Sequence, residues 1–289
     1  MIQMKFFVTS VLSWLTSLVA LLYWFIVHIY KSDLKNHIDK TNKEKGIDVI
    51  VNGPSFTDQI NSIKNNGRDK CMVNFAANTP VFWELKPSHY CVFDPEFFRN
   101  YTLEKEVSLF KENIKKVNWN LTFYVTYYDY KHHVKNTELD RLEYVSFVPF
   151  HGTPLSFSFK FKKLAYWLFS SGQAMPNAPS VSVPAIMNAI NAGYTSINLY
   201  GYDQDWIHNV VVDDSNRVCL YDTHYYNEKG EYRPWWKNDK ETFTMYEILH
   251  SQAELFETYF FIRQYIDYLG NVRIINHSPK SLIDAFERL

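Results

Sequence analysis

Cysteine is scarce in this sequence: Cys71, Cys91 and Cys219 lie far apart in a chain of 289 residues. No CxxC pair and no Cys/His cluster accompanies them, so neither a zinc site nor a disulfide framework is indicated. Cysteines of this kind behave as small buried hydrophobes, and a reducing compartment suits the main domain. Charge of one sign is also lacking. Lys and Arg number 30 against 31 Asp and Glu, without the basic excess of a nucleic-acid surface. There is no GxGxxG loop and no Gly-rich loop ending in Gly-Lys-Ser/Thr, which disfavours a nicotinamide dinucleotide or a P-loop triphosphate. Repeats and low-complexity segments are absent.

Aromatic residues are plentiful, with 21 Tyr, 22 Phe and 8 Trp. They suit core filling and, alternatively, stacking on sugars or bases. From Phe6 to Tyr30 no Asp, Glu, Lys or Arg occurs. About 20 apolar residues cross a bilayer as a helix, and the bulky aromatic end of this run does not look like a signal-peptide cleavage site. We therefore expect an N-terminal transmembrane helix over residues 1–30. A polar tether over 31–46 and a catalytic domain over 47–289 would follow. Lys31, Lys35, Lys40, Lys43 and Lys45 follow the apolar run and only Lys5 precedes it. That asymmetry predicts a single-pass protein of the inner or cytoplasmic membrane with its main domain facing the cytoplasm.

Beyond the tether, IDVIVNGPS (Ile47 to Ser55) reads as a strand breaking into a tight turn, and FTDQINSIKNNG as the helix after it. CMVNFAA, HYCVFDP, NLTFYVTYY and EYVSFVPF read as further strands. The stretch from Phe157 to Ser171 is aromatic, basic and ambiguous. AIMNAINAGY looks helical and TSINLYGYD reads as a strand entering a Gly turn. VVVDDSNRVCLYD has the pattern of a hairpin. A long helix is expected over Glu241 to Leu269, then a strand in NVRIINHSP and a helix in SLIDAFERL. This alternation predicts an α/β fold: a Rossmann-like, doubly wound, mostly parallel sheet.

In such sheets ligands sit beyond the carboxyl ends of the strands. Asn52, Gly53, Pro54 and Ser55 occupy that place after the first strand. Gly53 permits close backbone approach, Pro54 fixes the turn and Ser55 is positioned to cap the next helix, where free amides favour phosphate. A plain strand-to-helix turn would show the same residues. The order of landmarks narrows the choice: VIVNGPS, Asn74 in CMVNFAA, AIMNAINAGYTSINLYGYD, LHSQAELFE and IINHSPKSLI. This order resembles the glycosyltransferase family that contains the Campylobacter-type sialyltransferases, over most of Ile47 to Ile283, with 80–179 aligning poorly.

The resemblance implies a GT-A-variant fold and a CMP-activated sugar donor. It places nucleotide binding at Asn52, Gly53, Pro54, Ser55, Asn74, Gly201, Tyr202, Asp203 and Ser281, and a general base at His250, at a helix start with Ser251 after it, converging with the bend at one rim of the sheet. A family Ser falls at Val181, flanked by Ser180 and Ser182, which are the candidates in its stead. Two family tyrosines that contact the leaving phosphate are replaced by Asp205 and Cys219, leaving Tyr221, Tyr225 or Tyr226 as substitutes.

Transfer to a hydroxyl needs a proton acceptor, and a neutral imidazole serves at pH near 7. The expected reaction is inverting transfer of sialic acid, a related nonulosonate or Kdo to a surface glycan or lipid-linked glycan, with no cofactor required. Asp203 and Asp205 form a DxD triplet, which supports the rival reading of a metal-dependent UDP- or GDP-sugar transferase. A catalytically inactive nucleotide-binding membrane protein is the other alternative. Homo-oligomerisation is left open. Trp235 and Trp236 suit either a lid over an acceptor sugar or a loop anchor. The Lys160 to Lys163 cluster suits contact with anionic lipid headgroups.

Overall fold

The computed structural model describes residues 14–23, 25–26, 46–98, 104–221, 232–237 and 241–289. In chain order the strands are β1 (Ile47–Ile50), β2 (Asp69–Val73), β3 (His89–Cys91), β4 (Leu121–Thr126), β5 (Val145–Phe150), β6 (Pro154–Leu155) and β7 (Met175–Pro176). Then come β8 (Ser196–Tyr200), β9 (Val210–Val212), β10 (Val218–Tyr221), β11 (Tyr232–Pro234), β12 (Arg273–Asn276) and β13 (Glu287–Arg288). The helices are α1 (residues 14–23 and 25–26), α2 (Ile60–Asn65), α3 (Pro80–Leu85), α4 (Glu104–Lys115), α5 (Tyr127–Asp129), α6 (Lys162–Ser170), α7 (Ser182–Asn191) and α8 (Met245–Leu269).

Eight strands form one sheet in the order β13-β12-β8-β1-β2-β3-β4-β5, and every neighbouring pair is parallel. Its central strands are buried on both faces, as a parallel sheet with helices on each side requires. One face packs on α6, α7 and α8 through residues such as Val49, Leu168, Ile186 and Ile262. The other packs on α3 and α4 through Met72, Phe82, Tyr90, Phe110 and Phe123. Most of the large aromatics in these layers are core, so filling accounts for much of the aromatic excess. The hairpin read in VVVDDSNRVCLYD is present as β9 and β10, with β11 added outside it.

Several expectations change. The ambiguous stretch supplies α6. SLIDAFERL is not a helix, because its backbone is bonded elsewhere. Ser281 Oγ donates to the Tyr202 carbonyl at 2.6 Å and accepts from Ile283 N, while Leu282 N donates to the Asp203 carbonyl at 2.9 Å. The segment is thereby tied to the loop after β8 and ends as β13.

The spanning helix expected over residues 1–30 lies in part outside the described residues, as does nearly all of the tether. Among the described residues no helix is long and apolar enough to cross a membrane. α1 is held against the domain: Ser17 is buried, and its hydroxyl accepts the Lys160 backbone N–H at 3.0 Å.

Candidate functional site

After β1 the chain winds outward through β2 to β5. β8 returns to the other side of β1, and β12 and β13 continue outward from there. The direction of winding therefore reverses between β1 and β8, and loops leaving the two strands at such a switch part to form a crevice. The bend Asn52–Ser55 leaves β1 here and Gly201–Asp205 leaves β8. They are fastened to each other: Val51 N bonds the Tyr200 carbonyl at 2.9 Å and Gly53 N the Gly201 carbonyl at 3.1 Å.

A Cβ on Gly53 would lie 2.2 Å from the Gly201 carbonyl oxygen, and one on Gly201, at φ +70°, 2.4 Å from the Val51 carbonyl. Only glycine allows this approach. Asp203 is buried and closes the bend by accepting from Ser55 N at 3.0 Å through Oδ2 and from the Ser55 hydroxyl through Oδ1. Burial raises its carboxyl above the usual range, and the two Ser55 donors oppose that rise.

A cavity of about 250 Å³ opens on this bend. Asn52, Gly53, Pro54, Asn74, Ser180, Ser182, Gly201, Asp203, Asp205 and Tyr221 are among its lining residues. Asn74 follows β2 in the left-handed region at φ +49°, which asparagine tolerates better than most side chains. Its buried Oδ1 has no hydrogen-bond partner among the described residues, and neither has the buried Nε1 of Trp206. Both residues line the cavity. A buried acceptor and a buried donor left unmade each cost about 1–3 kcal/mol, and a polar ligand would relieve that cost. α7 begins at the wall, so its positive end faces the same space. Ser182 is fixed there by the Tyr259 hydroxyl of α8 at 2.8 Å.

A second cavity, of about 950 Å³, adjoins the first across Asn74, Ser180 and Val181, which line both. It lies over the carboxyl ends of β3, β4 and β5, lined by Asp94, Thr126, Tyr127, Tyr128 and His151 among others. The His151 ring is 5.7 Å from that of Tyr127. Trp235 closes one side and meets Trp206 of the smaller cavity at 6.2 Å, edge to face. Trp235 thus lines the larger cavity, while Trp236 is exposed. No Lys or Arg is among the described residues lining either cavity.

Three sequence candidates stand behind this wall rather than in it. Ser55 is taken by Asp203 and caps no helix, Gly53 holding the N-cap position instead. Tyr202 is buried and donates to the Ser182 carbonyl at 3.1 Å. Ser281 is bonded to Asn276 and Tyr202. Tyr225 and Tyr226 lie outside the described residues. Asp203 and Asp205 both line the cavity, yet both Asp203 oxygens serve Ser55. Among the described residues no three His, Cys, Asp or Glu side chains converge as a metal-ligand set.

His250 departs furthest from expectation. We expected it at a helix start, converging with the bend. Instead α8 starts five residues earlier, at Met245, after a reciprocal capping box of Thr244 and Glu247. His250 therefore sits in the second turn, and Ser251 caps nothing. Its side chain is 61% exposed, 3.7 Å from Glu254 and stacked on Tyr246. Tyr259, which reaches Ser182, is nine residues on, about 180° around a helix of 3.6 residues per turn. His250 thus faces away from that wall and lines neither cavity.

Gln204, Trp206, Asn209, Asp94, Tyr127, Tyr128 and His151 were not singled out from sequence as site residues. Gln204 at φ +49° marks a tight turn, but only the fold reveals it.

No protein-family model matches the chain, and no curated protein matches it. Among solved structures it is similar to the sialyltransferase CstII from Campylobacter jejuni, determined in complex with a substrate analogue, CMP-3FNeuAc. That match has 16% identity and a TM-score of 0.40, and covers 85% of this chain and 86% of that one.

Proposed function

We propose that this chain is a membrane-associated inverting glycosyltransferase. It would take sialic acid, a related nonulosonate or Kdo from a CMP-activated donor and pass it to a hydroxyl of a glycan acceptor. The observation that carries this reading is the side-chain Oδ1 of Asn74, without a partner among the described residues, at the switch-point cavity and on the wall shared with a larger cavity. Asn74 Oδ1 suits a ligand N–H or O–H such as a base amine or a ribose hydroxyl. The bend at Asn52–Pro54 lets the nucleotide lie against the backbone. Hydroxyls of Ser180, Ser182 and Tyr221, with the positive end of α7, face the phosphate as charge develops on it. A donor with one phosphate fits a wall whose described residues include no cationic side chain.

The larger cavity would hold the sugar and the incoming hydroxyl. The hydroxyl oxygen attacks the anomeric carbon, the bond to the phosphate oxygen breaks with inversion, CMP departs with the electron pair, and a base takes the acceptor proton. Of the histidines in the described residues, His151 lines the larger cavity and His250 lines neither, so we assign the base to His151. Asp203 is assigned to holding the bend. The test is a donor screen that measures release of CMP, UMP, UDP and GDP from a panel of activated sugars, with and without EDTA. CMP release that survives EDTA supports the reading. UDP or GDP release that needs added Mn²⁺ contradicts it.

A further inference from the structure

α1 does two things at once. One side of α1 is packed on the domain: Ser17 bonds Lys160, Trp14 meets Phe161 edge to face at 5.2 Å, and Ala20 and Leu21 pack on the core. The other side is bare. Leu15, Leu18, Val19 and Leu22 are 53–66% exposed, and Phe25 and Ile26 are also exposed. Beside it the outer face of α6 carries exposed Lys163 and, one turn on, exposed Trp167, with exposed Lys160 just before the helix. At the far end of α1, Tyr23 forms part of the wall of the larger cavity.

A helix bonded to its own domain at Ser17 is poorly placed to run through a bilayer. A helix with one face docked and the other apolar, flanked by exposed lysines, suits the plane of the interface. We infer that α1 lies in the plane of the membrane surface, docking the domain onto an anionic bilayer, with the mouth of the larger cavity beside the headgroups. Bare leucines meet the acyl boundary, Trp167 enters the headgroup zone, and Lys160 and Lys163 meet anionic lipid. This inference deepens the functional reading only in saying where the acceptor arrives. The docking geometry itself is readable without any glycosyl transfer.

The experiment uses the full chain with vesicles of phosphatidylcholine, alone or with about 30% phosphatidylglycerol, a content giving a negative surface as in cytoplasmic leaflets. Leu15→Cys, Leu18→Cys and Leu22→Cys are each spin-labelled and the depth of each label is read by relaxation. The native Cys71, Cys91 and Cys219 are buried and leave the new thiol as the preferred target. In-plane docking gives three shallow, similar depths. A helix crossing the bilayer gives a steady gradient of about 10 Å from 15 to 22, at 1.5 Å per residue, and overturns the inference.

Flotation supplies the second arm. The wild type is expected to bind phosphatidylglycerol vesicles at least about fivefold better than neutral ones, and Lys160→Glu with Lys163→Glu to remove that preference. Failure to bind either vesicle, or a preference unchanged in the double variant, contradicts the inference while leaving the donor screen unaffected.

Discussion

The two rims of the central sheet are built on opposite terms. At the amino rim Asp48, Arg68 and Asp69 each have partners. Asp48, fully buried, accepts from Arg68 Nε at 2.7 Å, Asn66 Nδ2 at 2.6 Å and Asn198 Nδ2 at 3.1 Å. Arg68 also bonds the Ile47 and Ser196 carbonyls. Next to it Tyr194 donates to Asp69 at 2.7 Å, which leaves its oxygen to accept from His89 Nε2 at 2.8 Å, while the Tyr124 hydroxyl serves His89 Nδ1 at 3.2 Å. His89 is therefore neutral with its proton on Nε2. At the carboxyl rim Asn74 Oδ1 and Trp206 Nε1 have no partner among the described residues, and Asn74 and Gln204 take left-handed backbone. One rim holds the sheet together. The other carries the cost that a binding site imposes.

This contrast can be broken from either side. The largest expected effect is at the amino rim. Arg68→Ala leaves the Asp48 carboxylate buried without its cation and should lower stability by about 3 kcal/mol, as broken buried pairs do. Urea unfolding reads the loss, and donor KM of the folded variant should stay within about twofold. A large KM change with intact stability would erase the division between rims.

A second effect of similar size is in pH. Burial pushes the His89 imidazole down from 6.5 to about 4, despite the nearby Asp69. The unfolded chain thus binds a proton that the folded chain refuses. His89 contributes stability that is full above pH 6.5 and is lost as pH falls towards about 4, amounting to roughly 3 kcal/mol. His89→Gln should flatten the stability profile across that window, and an unchanged profile would remove His89 from the account.

At the carboxyl rim, His151→Ala should reduce turnover about 10²-fold, the usual loss of a general base. His250→Ala, on the exposed face of α8, should stay within about threefold by the same measure. The reverse ranking in steady-state kinetics would restore His250 to the role and show that α8 reaches the site in a way the described residues do not.

Much of the sheet was readable in the chain. Each buried parallel strand is an apolar run ended by punctuation, as Val51 is by Asn-Gly-Pro and Tyr200 by Gly-Tyr-Asp, so strand ends and the bend after β1 could be placed locally. Two failures have local causes. SLIDAFERL has helical apolar spacing, but Ser281 and Leu282 are claimed by the loop after β8, a contact across about 80 residues of sequence. The helix start at His250-Ser251 rests on family order alone, whereas Thr244-x-x-Glu247 upstream is a capping-box pattern.

The larger cavity was legible only at its edges, in Asn74, Ser180 and Trp235. The rest of its wall includes Asp94, Thr126 to Tyr128 and His151, short pieces after three different strands. Only the side-by-side order β3-β4-β5 gathers them.

Calorimetric titration of CMP into the full chain and into Asn74→Ala tests most directly the proposal that the smaller cavity binds the donor nucleotide. CMP should bind the wild type and lose about tenfold in affinity in the variant, the worth of one or two net hydrogen bonds. CMP that fails to bind the folded wild type, or binds both proteins equally, would contradict the assignment of that cavity to the donor nucleotide.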